Sequence, residues 1–316
     1  MMKTRIFGIL VLVSVLFFAC NNSDLTEPSG NDDLILKSAA IAENDVMVES
    51  VMEEANYEVS IFAESERLLR QLANFRGSKN LINGNGLMRY KNGNCPNVSI
   101  DTTETGYPIT VTVDYGEGVE LKNGRVISGL VTIEVSAPRG TDGATRTITY
   151  TDCVIDSIQI DGVATQTFNG DNLATRVVST SSNITLVLAD GTVLERTGTH
   201  VREWIEGLET PMEHSDDRIS ITGTVTFESS TGNTWTRTIV EPLIKMSDCR
   251  HPVQGVVQFS QNGTIIATLD FGNGTCDNLA ILTVDGVEVE IELKGRKPEA
   301  KVEKFRQNKQ NKRKGN

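Results

Sequence analysis

Val253-Gln-Gly-Val-Val-Gln-Phe-Ser-Gln-Asn262-Gly263-Thr-Ile-Ile-Ala-Thr-Leu-Asp270 decides the fold of this chain, because two runs rich in β-branched residues meet at an Asn-Gly pair. Asn-Gly accepts the positive φ angles of a two-residue hairpin turn, and alternating apolar side chains on both sides read as paired strands. Cys249 and Cys276 lie equally far from the centre of that turn, so a hairpin folded there brings them together. In an exported protein such a pair is expected to form a disulfide, and Cys95–Cys153 then follows by elimination. A metal reading of Cys249-Arg-His251 with Cys276 lacks the two-residue knuckle spacing and a fourth ligand.

The same grammar extends outward. Alternation recurs in Ile109–Asp114, Val131–Val135, Thr145–Tyr150, Ile184–Leu188, Ile219–Phe227 and Val287–Leu293. Asn123-Gly124, Asp161-Gly162, Asp190-Gly191, Gly232-Asn233 and Asp285-Gly286 supply turn signals between such runs. About a dozen strands, mostly joined to their sequence neighbours, are expected over residues 95–293. An antiparallel meander that long must curl, so the fold class is mainly β, as a barrel, half-barrel or sandwich.

Residues 33–77 change to helical period. Val51, Ala55, Val59 and Phe62 share one face, Leu68, Leu69, Leu72 and Phe75 extend it, and Glu and Arg fill the other side. Gly77 is a plausible stop. An amphipathic helix or helix pair packed on the sheet is expected.

At the start, Lys3 and Arg5 precede the apolar run Ile6–Ala19, which ends at Cys20. The run is too short for a membrane span and has the shape of a removable signal peptide, residues 1–19. Leu16-Phe-Phe-Ala-Cys20 looks like a bacterial lipobox, in which the cysteine sulfur receives a diacylglycerol and the new amine is acylated. Several acyl chains exceed what lasting attachment requires. Residues 20–32 are mostly polar and suit a tether.

The 316 residues carry a formal charge of −12, divided between +8 in residues 294–316 and −20 in the remainder. An acidic body with a basic tail argues against nucleic acid as a partner, since binding domains cluster their basic residues on a folded face. The tail has little to pack and reads as disordered, with anionic headgroups or polysaccharide as its sharper use.

Candidate chemistry is sparse. Asp270, Asn273 and Asp277, with Asn278, could gather oxygens for Ca²⁺, and Asp114, Glu117 and Glu120 form a partial echo of them. Neither stretch has the EF-hand spacing or enough oxygens alone, and a structural turn is the plainer reading, with no cofactor. His200, His214 and His251 stand in no metal-protease spacing. Neither a nucleophile elbow nor a phosphate loop is present. Trp204, set among acids, and Trp235 could stack on a sugar, although strand tryptophans more often enter the core. Glu203, Glu206, Asp216 and Asp217 are the acids on which a carbohydrate hydrolase would draw. A second echo links Asp114-Tyr-Gly-Glu-Gly118 with Asp270-Phe-Gly-Asn-Gly274.

Through Cys95-Pro-Asn-Val, Asp114–Gly118, Trp204-Ile-Glu-Gly207, Glu241-Pro-Leu-Ile244, Ser247-Asp-Cys249 and Asp270–Asn278, the chain resembles a group of Bacteroidota-type outer-membrane lipoproteins over about residues 30–293. The resemblance implies an outer-membrane lipoprotein and transfers no active-site residue. The expectation is a lipid-anchored envelope protein, non-enzymatic, that binds a ligand, glycan or protein. An envelope hydrolase and a structural or adhesion component are the alternatives.

Overall fold

The computed structural model describes residues 30–63, 90–91, 94–104, 106–138, 140–170, 175–210 and 215–293. One helix, α1 (Gly30–Ala63), precedes thirteen strands: β1 (Asn97–Thr102), β2 (Ile109–Glu120), β3 (Val126–Val135), β4 (Thr145–Ile155), β5 (Ile158–Asn169), β6 (Val177–Val187), β7 (Val193–Glu206), β8 (Arg218–Ser229), β9 (Thr234–Met246), β10 (Gln254–Gln261), β11 (Thr264–Asn273), β12 (Leu279–Val284) and β13 (Val287–Glu292). Signal residues 1–19, Cys20 and its tether as far as residue 29, the helical extension through Leu68, Leu69, Leu72 and Phe75, His214 and the tail 294–316 lie outside the described residues. Among the described residues no helix is long and apolar enough to cross a membrane.

The strands form one antiparallel sheet in sequence order, β1 to β13. Alternation makes this possible, since each strand gives one set of side chains to each face. On the convex face a cross-strand row runs Thr147, Thr165, Ser181, Thr199, Thr224 and Thr238 from β4 to β9. Threonine suits this position, because its branched Cβ favours extended backbone while its hydroxyl faces water. On the concave face Ile148, Ile160, Ile184, Leu186, Val225, Phe227, Phe259 and Leu269 join one buried core.

The meander expected from sequence is present, and it stays open: β1 pairs with β2 and β13 with β12, with no β1–β13 ladder among the described residues. Thirteen strands laid flat would span about 58 Å, whereas a helix is about 10–12 Å wide. Yet α1 packs its backbone against β3 and β4 on one flank and β11 and β12 on the other. It also reaches β7 and β9 through side chains. The sheet is therefore a trough wrapped around its own helix. Glu288, Glu290 and Glu292 on β13 burden that open edge with charge, which discourages pairing with another strand.

Two local readings need correction. Asp161-Gly162 is not a turn but part of β5, and the β4–β5 connection is made at Asp156-Ser157. Gly162 is needed there because a Cβ would stand 2.3 Å from the Asn183 carbonyl oxygen. The second echo, by contrast, is a repeated device. Gly116 N donates to Asp114 Oδ1 and Gly272 N to Asp270 Oδ1, each at 2.8 Å, beside a register shift and with a buried Tyr115 or Phe271 between them. Both are bulges in which a carboxylate holds the kinked backbone.

The Cys249–Cys276 bridge is present, with Cα atoms 5.6 Å apart. Two register shifts on β10–β11 do not separate them. Cys95 and Cys153 are unbridged. Asn97 aligns through Asp114 and Leu130 with Thr151, so Cys95 and Cys153 sit three strand spacings apart, about 14 Å along the sheet, beyond disulfide reach. Replacing Cys249 and Cys276 together by serine is expected to cost about 3–4 kcal/mol, because the bridge, spanning a sequence separation of 27, closes a loop in the unfolded chain. Equal urea midpoints for the oxidised parent and the variant would show that the bridge adds nothing.

Candidate functional site

The densest polar chemistry lies where α1 meets the trough. Asp45, Glu49 and Glu53 follow at four-residue intervals and so share one face of the helix. Opposite them, the inward alternation of β7 and β9 presents arginines at positions where a smaller sheet would carry apolar residues. Arg237 Nε donates to Asp45 Oδ2 at 3.0 Å. Arg196 donates from Nη2 and Nε to Glu49 Oε1 at 2.8 and 3.2 Å, and from Nη1 to Ser182 Oγ at 3.0 Å. Arg202 makes a two-pronged contact with Glu53, one arm of it 3.2 Å from Oε1. This fork geometry is what guanidinium offers a carboxylate and ammonium does not.

The other flank of α1 is tied just as firmly. Arg125 Nη1 donates to the Ser50 carbonyl at 2.9 Å and its Nη2 to Ser50 Oγ at 2.8 Å, with Glu54 and Asp156 each 3.3 Å from the guanidinium. Tyr90 and Tyr115 both donate to Glu58 Oε2 at 2.6 Å. The expectation that charged residues of the helix face water is thus overturned for Asp45 and Glu58, which are buried, and for Glu49, Glu53 and Glu54, which pair with the sheet. Val51, Ala55, Val59 and Phe62 do form a buried set as expected.

Burial governs the protonation of the seam. It pushes Asp45 up to about 7 against the pull of Arg237. It also opposes the charge on Glu49, but Arg196 and Arg237 outweigh it and hold that carboxyl at about 2. His200 is driven down to about 3, first by burial and then by Arg202 and Arg196. The seam consequently reads as a charge-matched socket for an acidic helix, with Glu49 and Glu53 ionised under three arginines.

The residues singled out from sequence are scattered by comparison. Trp235 is 4% exposed and stacks on Phe227 with centroids 5.0 Å apart, so it belongs to the core. Trp204 is half-buried, with the Arg176 guanidinium 3.8 Å over its ring and its Nε1 donating to Asp217 Oδ2 at 3.3 Å. Glu206 pairs with Arg218 at 3.1 Å, Asp216 accepts from Thr210 at 2.6 Å, and Glu203 is exposed. Asp270, Asn273 and Asp277 each serve their own turn, accepting from Gly272 N, Thr275 Oγ1 and Leu279 N. Among the described residues no three His, Cys, Asp or Glu side chains gather in a metal-holding group. The concave face of the sheet, where an apolar ligand would lodge, is occupied by α1. Comparison with known proteins found no matching family model, no matching curated protein and no matching solved structure.

Proposed function

We propose that this chain is a lipid-anchored protein of the cell envelope that works by binding, with the outer membrane as its site and a neutral glycan or protein surface as its partner. The observation that carries the reading is the division of the sheet's two faces. The concave face is spent on α1, whereas the convex face offers a central hydroxyl ladder, Thr147 through Thr238, free of charge in a body of net charge −20. Hydroxyls donate and accept at once, which suits an uncharged polar partner more than an ion. The lipobox supports the anchor. Cys20 precedes Gly30 by ten residues, a reach of up to roughly 35 Å when extended, enough to lift the trough off a bilayer.

Changing Cys20 to alanine tests the anchor. The expected result is loss of fatty-acid labelling and transfer of the protein from the membrane pellet to the soluble fraction. Continued sedimentation of an unlabelled protein would remove the anchor from the account. Thr165→Glu with Thr224→Glu, placing two carboxylates on the ladder, is expected to abolish retention on envelope polysaccharide or partner protein while leaving the fold intact. Unchanged retention would move the contact surface elsewhere.

A further inference from the structure

The two edges of the sheet are finished differently. At β13 the convex-side row Glu288, Glu290 and Glu292 guards the last strand, while Ile291 on its concave side is 5% exposed and closed into the core. At β1 no such guard stands. Asn97, Ser99 and Asp101 are exposed on its convex side, and Val98 and Ile100 on the concave side are only half-buried. Each of these two ends an apolar cross-strand row, Val98–Val113–Val131–Tyr150 and Ile100–Val111–Ile133–Ile148, whose other members are at most 4% exposed. Among the described residues β1 pairs with β2 alone, so the main-chain groups of its outer side are open to a further strand.

We infer that β1 is a docking edge, separate from the hydroxyl ladder, for an extended segment of another protein. That segment joins the sheet as a strand, with apolar side chains over Val98 and Ile100 and basic side chains over Asp101. Alternation sets the first requirement, because neighbouring strands match side chains face by face. Charge sets the second. Strands β1, β2 and β3 hold no Lys or Arg, yet carry Asp101, Asp114, Glu117, Glu134 and Glu120, the last paired with Lys91. Asp101 aligns through Thr110 with Glu134, and Asp114 stands opposite Asn97, all three acids exposed on the convex side. A second copy of β1 laid against the first would set acids against acids, so this flank selects a basic partner over its own kind. The six residues of β1 run for roughly 20 Å, an ordinary strand length. Main-chain hydrogen bonds along it supply affinity and the alternate side chains supply selectivity.

The probe is a capped peptide of roughly seven residues alternating lysine and valine, long enough to cover β1. It is added to the full-length protein in uncharged detergent and followed by fluorescence anisotropy and hydrogen–deuterium exchange. Saturable binding is expected, with slowed exchange at β1 amides and none at β13. Methylating alternate backbone nitrogens keeps the peptide's charge and side chains but removes main-chain donors, and should weaken binding about tenfold or more through the loss of two or three hydrogen bonds. Equal binding of the methylated peptide would reduce the contact to attraction between a cation and an acidic body, and would overturn the proposal. Asn97→Lys with Ser99→Lys, both at exposed positions, should lose the lysine peptide and take up its glutamate counterpart, with exchange at β6 to β9 unaltered as the sign of an intact fold. Undiminished binding of the lysine peptide by this variant, or protection at β13 in place of β1, would count equally against the docking edge.

Discussion

Arg237→Ala is expected to lower the free energy of unfolding by about 3–5 kcal/mol, the cost of leaving a buried charge without its partner. Asp45 is 2% exposed and Arg237 6%, so the pair is shielded from bulk solvent. Asp45 already binds a proton more readily than an exposed carboxyl because burial pushes it up to about 7. Removing Arg237 takes away the main force pulling it down, and the carboxyl moves further up. A raised carboxyl is a stability term present at low pH and lost as pH rises through the folded value. The variant should therefore be hurt most near pH 8 and least near pH 5. Adding Asp45→Asn should recover much of the loss, since no charge remains to be stranded. Lys91→Ala provides the contrast, because its ion pair with Glu120 is about half exposed and is worth about 0–1 kcal/mol. Urea unfolding at the two pH values would refute the seam's role if Arg237→Ala behaved like Lys91→Ala.

Much of this architecture is legible in the residues, and the seam shows where legibility ends. Thr147, Thr165 and Thr199 stand at wet parity in their strands, and Ile148, Ala164 and Arg196 at dry parity, so the two faces separate by counting in twos. Arg237 shares parity with Trp235, a signal that the dry face must answer a charge. What answers it is hidden, because Asp45, Glu49 and Glu53 on a helix look the same whether they meet water or arginine. Strand count and order follow from local turns, but openness of the sheet does not, since it depends on twist accumulated through bulges such as those at Gly116 and Gly272. Pairing cysteines by elimination failed for a related reason: Cys95 precedes β1 by two residues and Cys153 lies on β4, and only the two strands between β1 and β4 show how far apart they are. Asp161-Gly162 misled because the same dipeptide serves a turn through its conformation and a strand through its missing Cβ.

Gly129→Ala shows how tightly that backbone is specified, and it is expected to cost about 3 kcal/mol. Gly129 has φ +86° on the β3 side of a bulge, facing Gly116 across the β2–β3 ladder. A Cβ there would lie 2.0 Å from the Asp152 carbonyl oxygen and 2.9 Å from Cys153 Cα. These are backbone atoms, which cannot swing aside as a side-chain tip would. The left-handed conformation alone costs an L-residue about 1–2 kcal/mol. Moving β3 away from β4 adds the loss of one or two ladder hydrogen bonds at about 0.5–1.5 kcal/mol each. Gly232→Ala separates the two contributions, because Gly232 has φ +84° with nothing within 4 Å of the added carbon. In a domain of this size the Gly129 variant should melt about 6–12 °C below the parent and the Gly232 variant about 2–8 °C below it. Equal shifts would mean that the close approach at Asp152 carries no weight. The same shift should reach the end of α1, since Cys153 is buried in the same core as the helix and within electrostatic range of Glu58, whose carboxylate Tyr90 and Tyr115 clamp. Burial pushes the Cys153 thiol up to about 12, so it resists alkylation in the parent. Faster thiol labelling in Gly129→Ala, with no change in Gly232→Ala, would trace the path from one missing Cβ through the β4 strand to the helix that fills the trough.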